Sequence, residues 1–383
     1  MYDCTEYRFD ELATIKYGKN QKAVESPEGT IPIYGTGGLM GYATKPLYEK
    51  PSVLIGRKGT INKVKFTDRP FWTVDTLFYT EINENIVFPK FLFYKLSLVN
   101  FMNYNEGTTI PSLRTETLNR LVFDIPNLEV QKKIITVLSS LDDKIELNNR
   151  INDNLEQQVQ AIFKSWFLDF EPFGGEMPDT WKEIPLEKLC SVVTKGTTPT
   201  TLGKKFTDSG INFIKGESIL ENHIFDLQKI SHIDEETNLM LKRSIIEPND
   251  ILFTIAGTLG RFAIIDKQLT PANTNQAVGI IRANPSIISP YYLYSFFIGN
   301  WHIDYYTKRI QQAVQANLSL GTIKSLPIII PDTQNCQKYT AIIEPIFKEM
   351  KYIEIENQKL SELRDSLLPK LMSGELDIDS VQL

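Results

Sequence analysis

The chain has 383 residues, 42% of them hydrophobic and 23% charged, with a formal net charge of −6, ordinary figures for a globular chain of two or three well-filled domains. No apolar run approaches the roughly 18 residues of a spanning helix, and the opening MYDCTEYRFDEL lacks the basic-then-apolar order of a signal peptide, so a cytoplasmic chain without membrane contact is expected. Cys4, Cys190 and Cys336 are odd in number, far apart and outside any CxxC pair, which points to plain thiols and away from a disulfide framework or a zinc site.

In chain order, residues 1–126 read as a mixed segment, with short apolar strands such as Ser52 to Ile55, glycine turns and a helix-like stretch after Pro89. Residues 127–172 are a long helix with the start of a linker. From Leu138 the positions Leu141, Ile145, Asn148, Asn152, Leu155, Val159, Ile162 and Trp166 alternate spacings of three and four, a heptad seam. A helix from roughly 130 to 166 runs about 55 Å, enough to hold two domains apart. The stretch Phe170 to Trp181 is rich in turn-forming residues and predicts a linker. Residues 173–331 hold that linker and a second mixed segment, with a strand from Asp250 to Ile255 and a helix after Pro290. Residues 332–383 form a second long helix and tail, with a seam through Ile346, Met350, Ile353, Asn357, Leu360, Arg364, Leu367 and Leu371, then Pro369 and Gly374 as stop signals. Asn148, Asn152 and Asn357 interrupt the seams. Asparagine there costs stability but fixes register, so the helices are expected to pair with each other. The plainer alternative is that each packs on its own domain.

The two halves repeat one another. Leu12 answers Leu189 at an offset of 177; Gly29, Ile33 and Gly35 in GTIPIYG answer Gly210, Ile214 and Gly216 in GINFIKG at 181. Val53-Leu54-Ile55 with Gly59 and Thr60 answers Ile251-Leu252-Phe253 with Gly257 and Thr258 at 198; Pro89 answers Pro290 at 201, and Leu121 and Pro126 answer Leu326 and Pro331 at 205. A period near 200 is too long for a solenoid, so each repeat should be a whole α+β domain with a helix.

Charge separates along the same lines. Residues 1–125 carry 15 Lys and Arg against 14 Asp and Glu, and residues 181–331 carry 15 against 13. The helical segments 126–180 and 332–383 carry 5 against 10 and 6 against 10. The acidity belongs to the helices, and the near-neutral mixed domains can bind DNA through clustered cations.

With these features in place, the chain resembles the specificity (S) subunits of type I restriction-modification systems over its whole length. The resemblance rests on the doubled architecture, on LATIKYGKN with LCSVVTKGTTP, VLIGRKGTINKV with ILFTIAGTLGRF, and LVFDIPNLEVQKKI with LPIIIPDTQNCQKY, and on the linker WFLDFEPFGGEMPDTW. It implies two target recognition domains, each reading one half of a split site in double-stranded DNA. It also implies two long helices forming an antiparallel coiled-coil spacer, with an internal pseudo-two-fold repeat. The implied partners are two modification (methyltransferase) subunits, which carry S-adenosylmethionine, and restriction subunits that join for cleavage; no cofactor is implied for this chain.

Base readout needs paired donors and acceptors on loops that approach closely. In the first domain the candidates are Tyr34, Gly35, Thr36, Gly37 and Gly38, the basic turn Arg57, Lys58, Gly59 and Thr60 with Lys63, and Thr73, Asp75 and Thr76. In the second they are Lys215, Gly216 and Ser218, Thr254, Gly257 and Thr258 with Arg261, Asn273, Asn275 and Gln276, and the later Gln315 and Asn317. The competing reading makes these glycines and small polar residues mere turn builders.

Catalysis is not expected. The nearest string to an adenine methyltransferase motif, Asn284-Pro285-Ser286, is a turn, and Gly196 to Lys205 has the wrong glycine spacing for a phosphate loop. His223, His232 and His302 form no ligand or triad pattern and are expected on loops or the surface, and no metal site is expected. Two other readings stay open: a coiled-coil scaffold that binds proteins, and a DNA-binding regulator that acts alone.

Overall fold

The computed structural model describes residues 2–303, 305 and 318–381. It divides into two compact units, Met1–Asn148 with Ile355–Leu383, and Asn149–Glu354. Each long helix therefore contributes one part to each unit, because its two halves pack on different cores. The boundaries expected at 126 and 331 lie just before the two long helices and the one at 172 inside the 3-10 turn Glu171–Phe173, whereas the packing units cut through the helices.

In the first unit the strands are β1 (Cys4–Arg8), β2 (Ala13–Tyr17), β3 (Ile31–Gly35), β4 (Gly38–Ala43), β5 (Ser52–Gly56), β6 (Val64–Thr67), β7 (Trp72–Thr73), β8 (Leu77–Ile82) and β9 (Val122–Pro126). They form an antiparallel sheet in the order β2-β8-β5-β6, a smaller sheet β4-β3-β7 in which β3 and β7 run parallel, and a closing pair β1-β9. In the second unit the strands are β10 (Lys182–Pro185), β11 (Cys190–Lys195), β12 (Ile211–Ile214), β13 (Ser231–Ile233), β14 (Ile251–Thr254), β15 (Phe262–Ile264), β16 (Ala272–Thr274), β17 (Val278–Ala283) and β18 (Pro327–Ile330). They repeat the arrangement: β11-β17-β14-β15, β13-β12-β16 with β12 and β16 parallel, and β10-β18. The sequence repeat is a repeat of topology. The second copy adds short helical turns between β12 and β14, which accounts for the jump in offset from 181 to 198.

The continuous apolar run of β5 has a simple cause. Side chains alternate across a strand, and here both faces are covered: Val53 and Ile55 enter the main core, while Leu54 packs with Phe71, Leu77 and Tyr79 on the other side. In β14, Ile251 and Phe253 face one core and Leu252 the other. The main core of each unit is completed by a helix with proline in its first turn, Pro89–Ser97 or Pro290–Ile298, and by the long helices.

The central helix spans Leu128–Phe167, and Asn127 caps it by accepting from the Val130 amide at 3.0 Å. The C-terminal helix spans Thr333–Ser373, capped by Asp332 on the Asn335 amide at 3.0 Å, and ends at Gly374 with φ 71°. Within the first unit Asn148 is buried and donates through Nδ2 to Glu356 Oε2 (2.6 Å) and Asn357 Oδ1 (2.9 Å), while Arg364 meets Asp142 at 2.9 Å. Within the second, Asn152 donates to the Met350 carbonyl at 3.3 Å, and Phe163 and Phe167 pack on Tyr339. Partner numbers fall as central-helix numbers rise, so the pairing is antiparallel. All three asparagines sit at crossing contacts between the helices. The helices also pack on the domains, so pairing and the plainer alternative coexist. Near its end the central helix buries Phe163 and Phe167 more fully than the expected Ile162 and Trp166; a straight helix of 3.6 residues per turn drifts off a 3.5-residue seam.

The linker is an ordered turn. Phe170 and Phe173 join the second core, and buried Trp181 donates from Nε1 to Asp332 Oδ2 at 3.1 Å, beside the start of the C-terminal helix. His223 lies half-buried on a loop, whereas His302 departs from the expectation of loop or surface histidines. His223 stacks on Phe262 at 4.0 Å, and His302 is buried among Phe253, Phe262, Phe296 and Phe297, where desolvation pushes its imidazole down to about 3. No helix among the described residues is long and apolar enough to cross a membrane.

Candidate nucleic-acid interface

At the tip of the first domain three turns meet: the β3–β4 hairpin, the β5–β6 turn and the β7–β8 turn. Backbone bonds lace them together, from Val74 N to Tyr34 O (3.1 Å), Arg57 N to Thr76 O (2.8 Å) and Lys58 N to Thr76 O (3.2 Å). Arg57 lies over the Tyr17 ring and donates from Nη1 to the Asp75 carbonyl at 3.0 Å. Lys65 Nζ donates to the carbonyls of Gly35 (3.1 Å) and Thr36 (3.4 Å). Burial, with a smaller contribution from neighbouring Lys63, lowers the pKa of Lys65. A cleft of about 480 Å³ lies between the hairpin and the β7–β8 turn, lined by Gln21, Gly35 to Met40, and Val74 to Thr76. The structure thus joins candidates up to 41 residues apart, from Gly35 to Thr76. Thr36 and Thr76 are half-buried, and Gly37, Lys58, Gly59, Thr60, Lys63 and Asp75 are exposed.

The second domain builds its tip in the same way from different side chains. Thr258 donates through Oγ1 to the Gly216 carbonyl at 3.2 Å, and Gln276 Oε1 accepts from Thr198 Oγ1. Arg243 Nη2 donates to Thr197 Oγ1 at 3.3 Å, and Lys215 lies over the Phe206 ring. A glycine makes the close approach possible in both copies. A Cβ on Gly18 would stand 2.0 Å from the Val74 carbonyl oxygen, and one on Gly196 would stand 1.9 Å from that of Thr274. No side chain fits either place. Gly257 and Gln276 are exposed at this tip, and Lys215, Thr258 and Asn275 are half-buried.

Several candidates prove to be framework. Thr73, Ser218, Thr254 and Asn273 are buried, as are the backbone positions Gly35 and Gly216. Ser218 donates to the Lys229 carbonyl (3.0 Å), Thr254 ties down the 258–261 turn, and Asn273 donates to Asn238 Oδ1 (2.9 Å) and the Leu241 carbonyl (3.2 Å). Buried polar groups are as a rule satisfied, and Ser218, Thr254 and Asn273 are, by bonds that hold the loops, whereas the Thr73 hydroxyl is buried without a hydrogen-bond partner among the described residues. Arg261 pairs with Glu221 at 2.8 Å and reaches the Ile219 carbonyl, so it braces the added segment of the second domain. Gln315 and Asn317 lie outside the described residues.

The structure adds residues that the sequence left unmarked: Gln21, Lys65, Leu39 and Met40 at the first tip, and Thr197, Thr198 and Arg243 at the second. Lys65 was adjacent to a marked site, two residues after Lys63. Arg243 carried no local signal, because the segment that brings it to Thr197 has no counterpart in the first domain. Gly196 to Lys205 is a loop with a short 3-10 turn at Pro199–Leu202 that leads to β12 and not into a helix.

The family model described as the type I restriction modification DNA specificity domain matches residues 1–157 and 178–365. The chain belongs to this family. Among curated relatives, this type I specificity chain is 26% identical to the type I restriction enzyme HindI specificity subunit of Haemophilus influenzae, over 80% of this chain and 81% of the relative. It is 27% identical to the type I restriction enzyme MjaIX specificity subunit of Methanocaldococcus jannaschii, over 88% of this chain and 80% of the relative. The fold of the specificity family is also seen in the crystal structure of a type I restriction-modification S subunit from M. genitalium. That structure has a TM-score of 0.58 and 18% identity, and the match covers 97% of this chain and 96% of the other.

Proposed function

We propose that this chain is the non-catalytic DNA specificity subunit of a type I restriction-modification complex, each recognition domain reading one half of a bipartite, gapped site. The observation that carries the reading is one topology built twice with different polar groups at the two tips. Repeated backbones would present two readers to DNA in the same manner, and unlike tips would make the two half-sites different in sequence. The paired helices are the spacer and, with their acidic surfaces, the docking ground for two modification subunits. Those subunits hold S-adenosylmethionine and methylate adenine, and restriction subunits join them for cleavage. Methylome sequencing of cells that carry this chain with its modification subunit is expected to show an asymmetric two-part methyladenine motif with a fixed gap. A continuous motif, or none in cells that contain the assembled complex, overturns the reading.

The exposed cations of the first tip have a separate signature. Lys58→Ala and Lys63→Ala are expected to weaken binding of the complex to specific and random duplex alike, each lowering the salt-dependence slope by about 1. The methylated sequence should stay unchanged, since phosphate contacts position the reader without reading bases. Titration of both duplex types against salt checks this.

A further inference from the structure

The two domains place one position in the same backbone setting with different chemistry. In the first domain Gly18 N donates to Leu77 O (3.2 Å), Lys19 N to Thr73 O (2.8 Å) and Arg57 N to Thr76 O (2.8 Å). In the second Gly196 N donates to Val278 O (3.4 Å), Thr197 N to Thr274 O (3.2 Å) and Ile255 N to Ala277 O (2.8 Å). The three pairs of acceptors share a single offset of 201, which superposes the turn Thr73-Val74-Asp75-Thr76 on Thr274-Asn275-Gln276-Ala277. Asp75 and Gln276 are therefore equivalent, and both are exposed while the residues two before them, Thr73 and Thr274, are buried.

The turn is rigid on both sides. The glycine contacts at Val74 and Thr274 clamp it from one direction and the β5 or β14 side from the other. Asp75 borders the cleft with its side chain exposed, and Arg57 holds its backbone carbonyl, so the position of the residue is fixed. Gln276 is oriented by Thr198, which occupies one lone pair of Oε1 and leaves the amide protons and the other lone pair for a ligand. A carboxylate only accepts, which suits the N4 amino group of cytosine. A carboxamide both donates and accepts, which suits the N7 and N6 of adenine.

We infer that this position specifies one base pair in each half-site, Asp75 selecting cytosine and Gln276 selecting adenine. The inference rests on the proposed function and goes beyond it by naming the residue and the base class. The test is methylation, by the complex assembled with its modification subunits, of duplexes in which each base pair of the parent site is varied in turn. Asp75→Gln is expected to move the preference at one pair of one half-site from C·G to A·T, by about 5- to 150-fold. Gln276→Asp should make the reverse change in the opposite half. Asp75→Ala and Gln276→Ala should flatten the preference at those same two pairs. Preferences equal to the parent's, changes spread over both halves, or loss of all methylation by a variant that unfolds like the parent would overturn the inference. If the parent complex methylates a two-part site while the variants behave this way, the failure belongs to the inference; a parent without a two-part site removes the function itself.

Discussion

Replacing residues 181–331 with the corresponding domain of another family member is expected to change one half of the methylated site and leave the other half and the gap intact. The exchange is structurally reasonable because the chain enters and leaves this domain through one small sheet, with Lys182 opposite Ile330 and Pro185 opposite Pro327. Both cut points lie at that sheet, and the incoming domain must keep Trp181 in reach of Asp332. Each mismatched pair in a half-site costs about 1–3 kcal/mol, so three wrong pairs remove about two to six orders of magnitude of preference for the parent site. Methylome sequencing reads the result, and a change in both halves would sink the modular reading.

A large loss of stability is expected from Arg282→Met. Arg282 closes a network beneath the second tip: it meets fully buried Asp250 at 2.7 Å through both Nε and Nη2, Glu247 at 2.5 Å and the Ile245 carbonyl at 3.1 Å. Burial pushes the Asp250 carboxyl above its ordinary range against the pull of Arg282, and Asp250 in turn raises the guanidinium. Removing Arg282 leaves a buried carboxylate unpaired, at a cost of about 3–5 kcal/mol. In the variant the folded protein binds the Asp250 proton more readily than the unfolded chain does. Its stability therefore rises as the pH falls, and the deficit against the parent should narrow as the pH goes from neutral down towards the ordinary carboxylate range. Adding Asp250→Asn should recover most of the loss at neutral pH. Denaturant unfolding across that range checks both statements, and a deficit independent of pH would show that Asp250 is not the group left exposed to the loss.

Much of the architecture could be read along the chain because it is written in periodic patterns. The seams through Asn148 and Asn152 and through Asn357 depend on neighbours a few residues away, and the prolines that open matched helices and the offsets from 177 to 205 on landmarks that recur in one order. The site was less legible. Asp75, Lys58 and the Gly35–Gly38 hairpin were marked by residue type and come together at the tip of the first domain, and Gln276, marked in the same way, lies at the tip of the second. Thr254 and Asn273 were marked by the same logic and proved to be internal ties, and Thr73 proved to be buried, since a polar side chain in a strand can face a ligand or point into the domain, and residue type does not distinguish the two.

By itself the sequence determined that the chain is two α+β domains with two helices, because repeats, heptads and capping residues are local or periodic signals. Only the tertiary structure decided which half of each helix serves which core, which polar residues reach the surface, and that Asp75 and Gln276 occupy one equivalent turn. Those outcomes depend on contacts between distant segments, where Gly18 or Gly196 lets one backbone press against another, and no stretch of sequence holds both sides of such a contact.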